Sequence, residues 1–148
     1  MKLETQTGYL LSETATVYGQ SKYIGIHALA SAANSLAAAG ASHLSVGVQI
    51  ALPPYAYKSK IHTIEKMIKS TCHERKIELL EVKGTRNPAI HFPMVTVTGI
   101  AEAAGDTLRS RSALEPGGEI VLTKWAGMAS DCAGKGTGIK RTVCAGIP

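Results

Sequence analysis

Aromatic side chains are scarce in this sequence: one Trp, one Phe and five Tyr in 148 residues. The core must therefore come from Ala, Ile, Leu and Val, and base stacking along a single strand of nucleic acid is not expected. Cysteine is scarce too. Cys72, Cys132 and Cys144 have no paired spacing, which argues against a disulfide framework and a cysteine-based zinc site. No apolar run approaches the roughly 18 residues of a membrane span, and Met1-Lys2-Leu3-Glu4 has no signal-peptide pattern. The expectation is a soluble cytoplasmic protein without a membrane partner. Acidic residues are the minority charge, 11 against 16 basic, for a net charge of +5. That excess suits either an anionic partner or a solvated basic surface, and the second is favoured. Many of the lysines share a segment with Glu65 and Glu74, so a basic nucleic-acid-binding module is the lesser reading.

What is present points to one globular domain. Hydrophobic residues make up 45% and charged residues 18%, a balance that folds. Tyr9 to Tyr18 is rich in Thr, Val and Tyr and reads as a strand that Gly19 breaks. Ser21 suits the cap of a helix running to about Ala39, with Ile26, Leu29, Ala33 and Leu36 at helical spacing and Gly40 as its left-handed stop. Leu44, Val46, Val48, Ile50 and Leu52 alternate with smaller or polar residues, the clearest strand of the chain, ended by Pro53-Pro54. A second helix is expected over about Lys58 to Lys76, burying Ile61, Ile64, Ile68 and Cys72. Short strands follow at Ile77 to Val82 and Met94 to Ile100, with a loop over Lys83 to Pro93. Glu115-Pro116-Gly117-Gly118 is a turn signal, and Glu119 to Trp125 reads as a last strand. The class is α+β, a mixed β-sheet with two main helices on one face.

Motif by motif, little chemistry is legible. AGKGTG near the C-terminus lacks the spacing and the hydroxyl residue of a phosphate loop. His27, Ser31, Asn34 and Ser35 form a polar stripe on the first helix that faces either a ligand or water, water being favoured. His43, His62 and His73 have no metal-ligand spacing. Acidic residues are too few and too dispersed for a Ser-His-Asp grouping.

Several stretches nonetheless agree together in order and spacing. ANSLAAAGA, an alternating strand ending in LPP, a lysine-rich helix, VTVTGIA and PGGEIVLTKWAG resemble the N-terminal domain of the aminoimidazole ribonucleotide (AIR) synthase superfamily. The likeness covers about Tyr9 to Gly127 and is closest to the AIR-synthase-related proteins allied to the hydrogenase maturation factor that dehydrates a carbamoyl group. It implies a two-domain protein that binds ATP and Mg²⁺. It also implies a homodimer whose N-terminal sheets close a barrel across a two-fold axis, and acidic residues that hold the metal.

Three departures from that pattern shape the functional expectation. Ser35 stands where the motif Ala-Asn-Asp-Leu-Ala has its Asp, so Ala33-Asn34-Ser35-Leu36-Ala37 brings no charge to Mg²⁺, a hard cation. Val82-Lys83-Gly84-Thr85-Arg86 replaces a Gly-Gly-His-Thr-Glu-like loop, and Arg86 would repel a metal while suiting a phosphate. The glycine-rich acidic segment that precedes the first matched strand in relatives is absent, as is the C-terminal domain. The resemblance thus implies a degenerate or truncated domain with weak or no ATP and Mg²⁺ binding and no autonomous catalysis. The alternative is a subunit of an ATP-dependent enzyme, of ligase, cyclase or carbamoyl-dehydrating type, completed by a partner chain that supplies the missing domain. Asn34, Ser35, Thr85 and Arg86 are the candidate nucleotide-binding residues. No catalytic or metal-ligating residue is assigned.

The domain is expected over residues 1–126. Residues 127–148 hold five glycines, two of the three cysteines and no hydrophobic period. A one-base shift in a permissible back-translation of Asp131–Pro148 gives a helix-like string. This tail is therefore expected to be irregular, either out of frame or disordered, and to carry no function.

Overall fold

The computed structural model describes residues 1–5, 8–106, 108, 109 and 117. Its elements are β1 (Lys2–Thr5), β2 (Gly8–Tyr18), α1 (Ile24–Ala38), β3 (Ser42–Leu52), α2 (Lys58–Glu74), β4 (Glu78–Arg86) and β5 (Met94–Ala103). The strands form one sheet in the order β1-β2-β5-β3-β4. Among the described strands only β3 and β4 run parallel, joined through α2; the other pairs are antiparallel. The mixed sheet with two helices is the expected α+β class. The last strand expected at 119–125, the domain end at 126 and the tail at 127–148 lie outside the described residues.

Strict alternation builds the core. Val95, Val97, Ala101 and Ala103 of β5 are buried, and so are Val46, Val48, Ile50 and Leu52 of β3. The register places Val48 beside Val97 and Ile50 beside Val95, so both strands turn the same row toward the helices. Leu29 of α1 and Ile64, Ile68 and Cys72 of α2 fill the other side of this layer. Each fully buried aliphatic side chain contributes roughly 1.5–3 kcal/mol. No polar or charged residue is buried among the described residues. No helix among them is long and apolar enough to cross a membrane.

Close approach of the helices depends on Gly25. A Cβ there would lie 2.8 Å from Cδ1 of Ile68 and 2.9 Å from Cγ2 of Ile64. The C-terminus of α1 is closed as the sequence suggests. Gly40, at φ +85°, donates to the Ala37 carbonyl at 2.9 Å, and the Ala41 amide donates to the Leu36 carbonyl at 3.1 Å. These are the two bonds of a Schellman motif. α2 ends in the same way, but with Lys76 at φ +56° in the glycine position and Ile77 donating to the Cys72 carbonyl at 2.9 Å. The helix therefore stops at Glu74, two residues before the expected Lys76.

Other differences have local causes. Ser21 does not cap α1. Its hydroxyl accepts from the Tyr23 amide at 3.2 Å, and the helix starts at Ile24. β4 continues to Arg86 because parallel pairing with Gln49, Ile50, Ala51 and Leu52 holds Lys83 to Arg86 extended. β5 runs three residues beyond Ile100 because it pairs with β2 as far as Tyr9–Ala103. β1, unforeseen, is a four-residue strand on the edge of β2.

Candidate functional site

The four candidate residues fall at two ends of the molecule. Asn34 and Ser35 lie on the solvent side of α1 near its C-terminus, both exposed. Neighbouring Leu36 packs where a Cβ on Gly99 would be, and Gly99 pairs with Val46 near the start of β3. Thr85 and Arg86 pair with Ala51 and Leu52 at the far end of β3. The separation is five residues of strand, about 17 Å at 3.3 Å per residue. One copy of the chain therefore does not bring the two pairs together.

The two β4 residues also part from each other. Thr85 aligns with Ala51 on the open face of the sheet, whereas Arg86 aligns with buried Leu52 on the helix side. Arg86 Nη2 donates to the Ala56 carbonyl at 3.1 Å. Gly84 has a packing role. A Cβ on it would sit 2.8 Å from Cγ2 of Ile61, so α2 rests directly on that backbone.

Near Ser35 the structure adds residues that pattern reading did not single out. A concave surface of about 470 Å³ is lined by Ala37, Ala38, Gly40, Ala41, Asp106 and Arg109. The Arg109 amide donates to the Ala39 carbonyl at 3.0 Å, fastening the segment after β5 to the end of α1. A carboxylate and a guanidinium thus line the hollow one helical turn from Ser35. The only sequence signal was the Gly105-Asp106 pair after an alternating strand. Among the described residues no group of three His, Cys, Asp or Glu side chains is placed to hold a metal ion.

Other titratable groups read as structural. Cys72 is buried, and burial pushes its thiol up to about 11, which makes it a poor nucleophile. Lys69, at 2.6 Å, holds the Glu65 carboxyl below the usual carboxylate range as an i,i+4 helix pair. His27 and Ser31 stay on the outer stripe of α1 with Asn34 and Ser35. His43 takes φ +52° where the β3–β5 register shifts between Ser42 and Ser45.

The open face of the sheet carries paired hydroxyls. Thr14 and Thr98 share a hydroxyl hydrogen bond of 3.2 Å, and Thr16 and Thr96 one of 3.0 Å. Tyr18 and Ile100 are exposed on the same face. Among the described residues, helices cover the other side.

This arrangement of strands and helices matches known structures. The hydrogenase maturation protein HypE in complex with ATP superposes with a TM-score of 0.64 at 18% identity, covering 78% of this chain and 36% of that one. The thiamine monophosphate kinase of Aquifex aeolicus, complexed with AMPPCP and TMP, gives 0.59 at 16% identity over 68% of this chain and 34% of that one. This is the AIR-synthase-related fold. A HypE–HypF complex matches as well, with a TM-score of 0.58 at 17% identity over 74% of this chain and 37% of that one. The chain spans little more than a third of the length of these AIR-synthase-related structures. No family model and no curated protein matches the sequence.

Proposed function

We propose that this chain is an AIR-synthase-type domain that pairs with a second copy through the open face of its sheet. In this reading it binds ATP and Mg²⁺ weakly or not at all and performs no catalysis alone. The observation that carries the proposal is the two-sidedness of the sheet. One face is buried under α1 and α2, while the other presents a neutral hydroxyl ladder flanked by Tyr18 and Ile100. The charges on this face sit at its margins, Glu81 and Lys83 paired at 2.9 Å on edge strand β4 and Glu102 at the end of β5, so its uncharged middle can meet its own copy across a two-fold axis without like charges confronting each other.

The nucleotide reading is supported by the complexes of the structural neighbours with ATP and with AMPPCP and TMP. It is weakened here by chemistry. Ser35 gives a metal one neutral oxygen, and Arg86 spends one donor on the Ala56 carbonyl. Phosphate or ribose would find hydrogen bonds at Asn34 and Ser35 and charge at Arg109 or Arg86. The 17 Å gap means that both ends meet one ligand only if a second copy supplies one of them.

Sedimentation velocity combined with calorimetric titration tests this. A dimer at micromolar concentration with an ATP dissociation constant near or above 1 mM, little changed by Mg²⁺, is expected. A monomer, or micromolar ATP binding that requires Mg²⁺, would sink it. A second reading, a subunit completed by a partner chain, takes support from the HypE–HypF complex. Co-purification of a partner that restores ATP hydrolysis would favour it.

A further inference from the structure

Aromatic residues are few, and the fold does not scatter them. Five of the seven, Tyr18, Tyr23, Tyr55, Tyr57 and Phe92, gather at the end of the sheet where β2, β3 and β4 finish and β5 begins. Four are well exposed: Tyr18 at 75%, Tyr55 at 69%, Tyr57 at 83% and Phe92 at 50%. Soluble domains expose single apolar residues freely, but four rings at one end of a sheet are unusual: Tyr18 at the end of the open face, Tyr55 and Tyr57 between β3 and α2, and Phe92 between β4 and β5.

Hydrogen bonds tie the segments that carry these rings. The Gly19 amide donates to the Pro93 carbonyl at 2.9 Å, and the Asn87 amide to the Leu52 carbonyl at 2.9 Å. The Tyr55 hydroxyl donates to the His91 carbonyl. Lys60 Nζ donates to both the carbonyl and the side-chain oxygen of Gln20, at 3.3 and 3.2 Å. The surface is therefore built from three mutually fastened segments.

Its charge has one sign. Lys22, Lys58, Lys60 and Arg86 lie here, and no Asp or Glu occurs in residues 18–24, 52–64 or 85–95. No carboxylate pairs with any of these cations among the described residues. Glu4, Glu78, Glu102 and Asp106 sit at the opposite end of the sheet. An acidic protein surface would use the cations but has no particular need of open rings. A phosphate polymer with unstacked bases uses both, since every base has a face to stack and every linkage a charge. Four exposed rings spread over three segments also exceed what one mononucleotide can cover.

We infer that this end of the sheet binds single-stranded nucleic acid, with Tyr18, Tyr55, Tyr57 and Phe92 as stacking faces and Lys22, Lys58 and Arg86 as phosphate contacts. The inference shares Arg86 with the ATP reading and Tyr18 with the margin of the dimer face, but it uses neither Ser35 nor the threonine ladder.

Fluorescence anisotropy of the full chain with a labelled 12-nucleotide oligothymidylate tests it. Three phosphate contacts predict a slope of log affinity against log salt near −2, at about 0.7 per contact. Tyr57→Ala, and Tyr18→Thr, which keeps a strand-forming residue, should each weaken binding at least fivefold with the melting temperature unmoved. Lys58→Gln should flatten the slope by about 0.7, whereas Lys76→Gln at the other end should not. No binding at 50 mM salt would overturn the proposal, as would unchanged affinity in both tyrosine variants. Equal competition by a duplex of the same length, or by polyglutamate, would also overturn it, the latter redirecting the site to an acidic protein.

Discussion

Ser35 and Lys76 both sit at helix C-termini, where the rules of the helix end bear on a single residue. Ser35 lies in the last turn of α1, where the backbone carbonyls concentrate partial negative charge and a carboxylate is unwelcome by about 0.3–1 kcal/mol. A bound cation would offset that cost for an Asp. Ser35→Asp should therefore lower the stability of the apo protein by roughly 0.5 kcal/mol in urea unfolding. It should also tighten ATP binding about tenfold in the presence of Mg²⁺ and leave it unchanged without. An equal effect with and without Mg²⁺ would remove the metal from the argument. Lys76 makes the opposite case. It holds φ +56° at the C′ position of α2, a conformation that costs a side chain roughly 1–2 kcal/mol. The added freedom of glycine in the unfolded chain returns part of that cost. Lys76→Gly should raise the unfolding free energy by about 0.5–1 kcal/mol, read from the urea midpoint at constant slope.

At the level of elements, legibility followed the strength of the repeat. α1, α2 and β3 were readable because Ile26, Leu29, Ala33 and Leu36, then Ile61, Ile64 and Ile68, then Val46, Val48 and Ile50 each sustain one period over several turns or pleats. β1 was not, because four residues carry too little pattern, and the end of β4 was not, because Lys83-Gly84-Thr85-Arg86 looks like a turn until β3 pairs with it. Partnership also explains Gly25, which reads as a weak point of a helix and is in fact the seat of Ile64 and Ile68. Gly25→Val would gain helix propensity of a few tenths of a kcal/mol. It would force both isoleucines from their places at a cost of about 1–3 kcal/mol. The packing term wins, so thermal unfolding of this variant should fall by several degrees. A rise would mean that α1 and α2 are looser than their contacts imply.

Across the whole molecule, distances between elements are what a local pattern leaves out. Asn34-Ser35 and Thr85-Arg86 resemble parts of one site, yet strand register separates them by about 17 Å, a quantity that no local pattern encodes. Joining them would take a second copy, which makes the open face of the sheet the decisive surface. A two-fold interface of ordinary size buries about 800 Å² on each partner, and substitutions at its centre act twice, once per copy. Thr16→Lys together with Thr98→Lys would place cations on this face and break the Thr14–Thr98 and Thr16–Thr96 bonds. Within one copy each lost cross-strand pair costs only about 0.2–1 kcal/mol, since the new lysines stay in water. Across a sheet-to-sheet interface the same lysines would be desolvated and face their symmetry mates, at several kcal/mol. The double variant should therefore sediment as a folded monomer at concentrations where the parent is a dimer, with its helix and sheet signals intact. If it still dimerises, pairing does not use this face, and residues at the two ends of the sheet cannot meet across it.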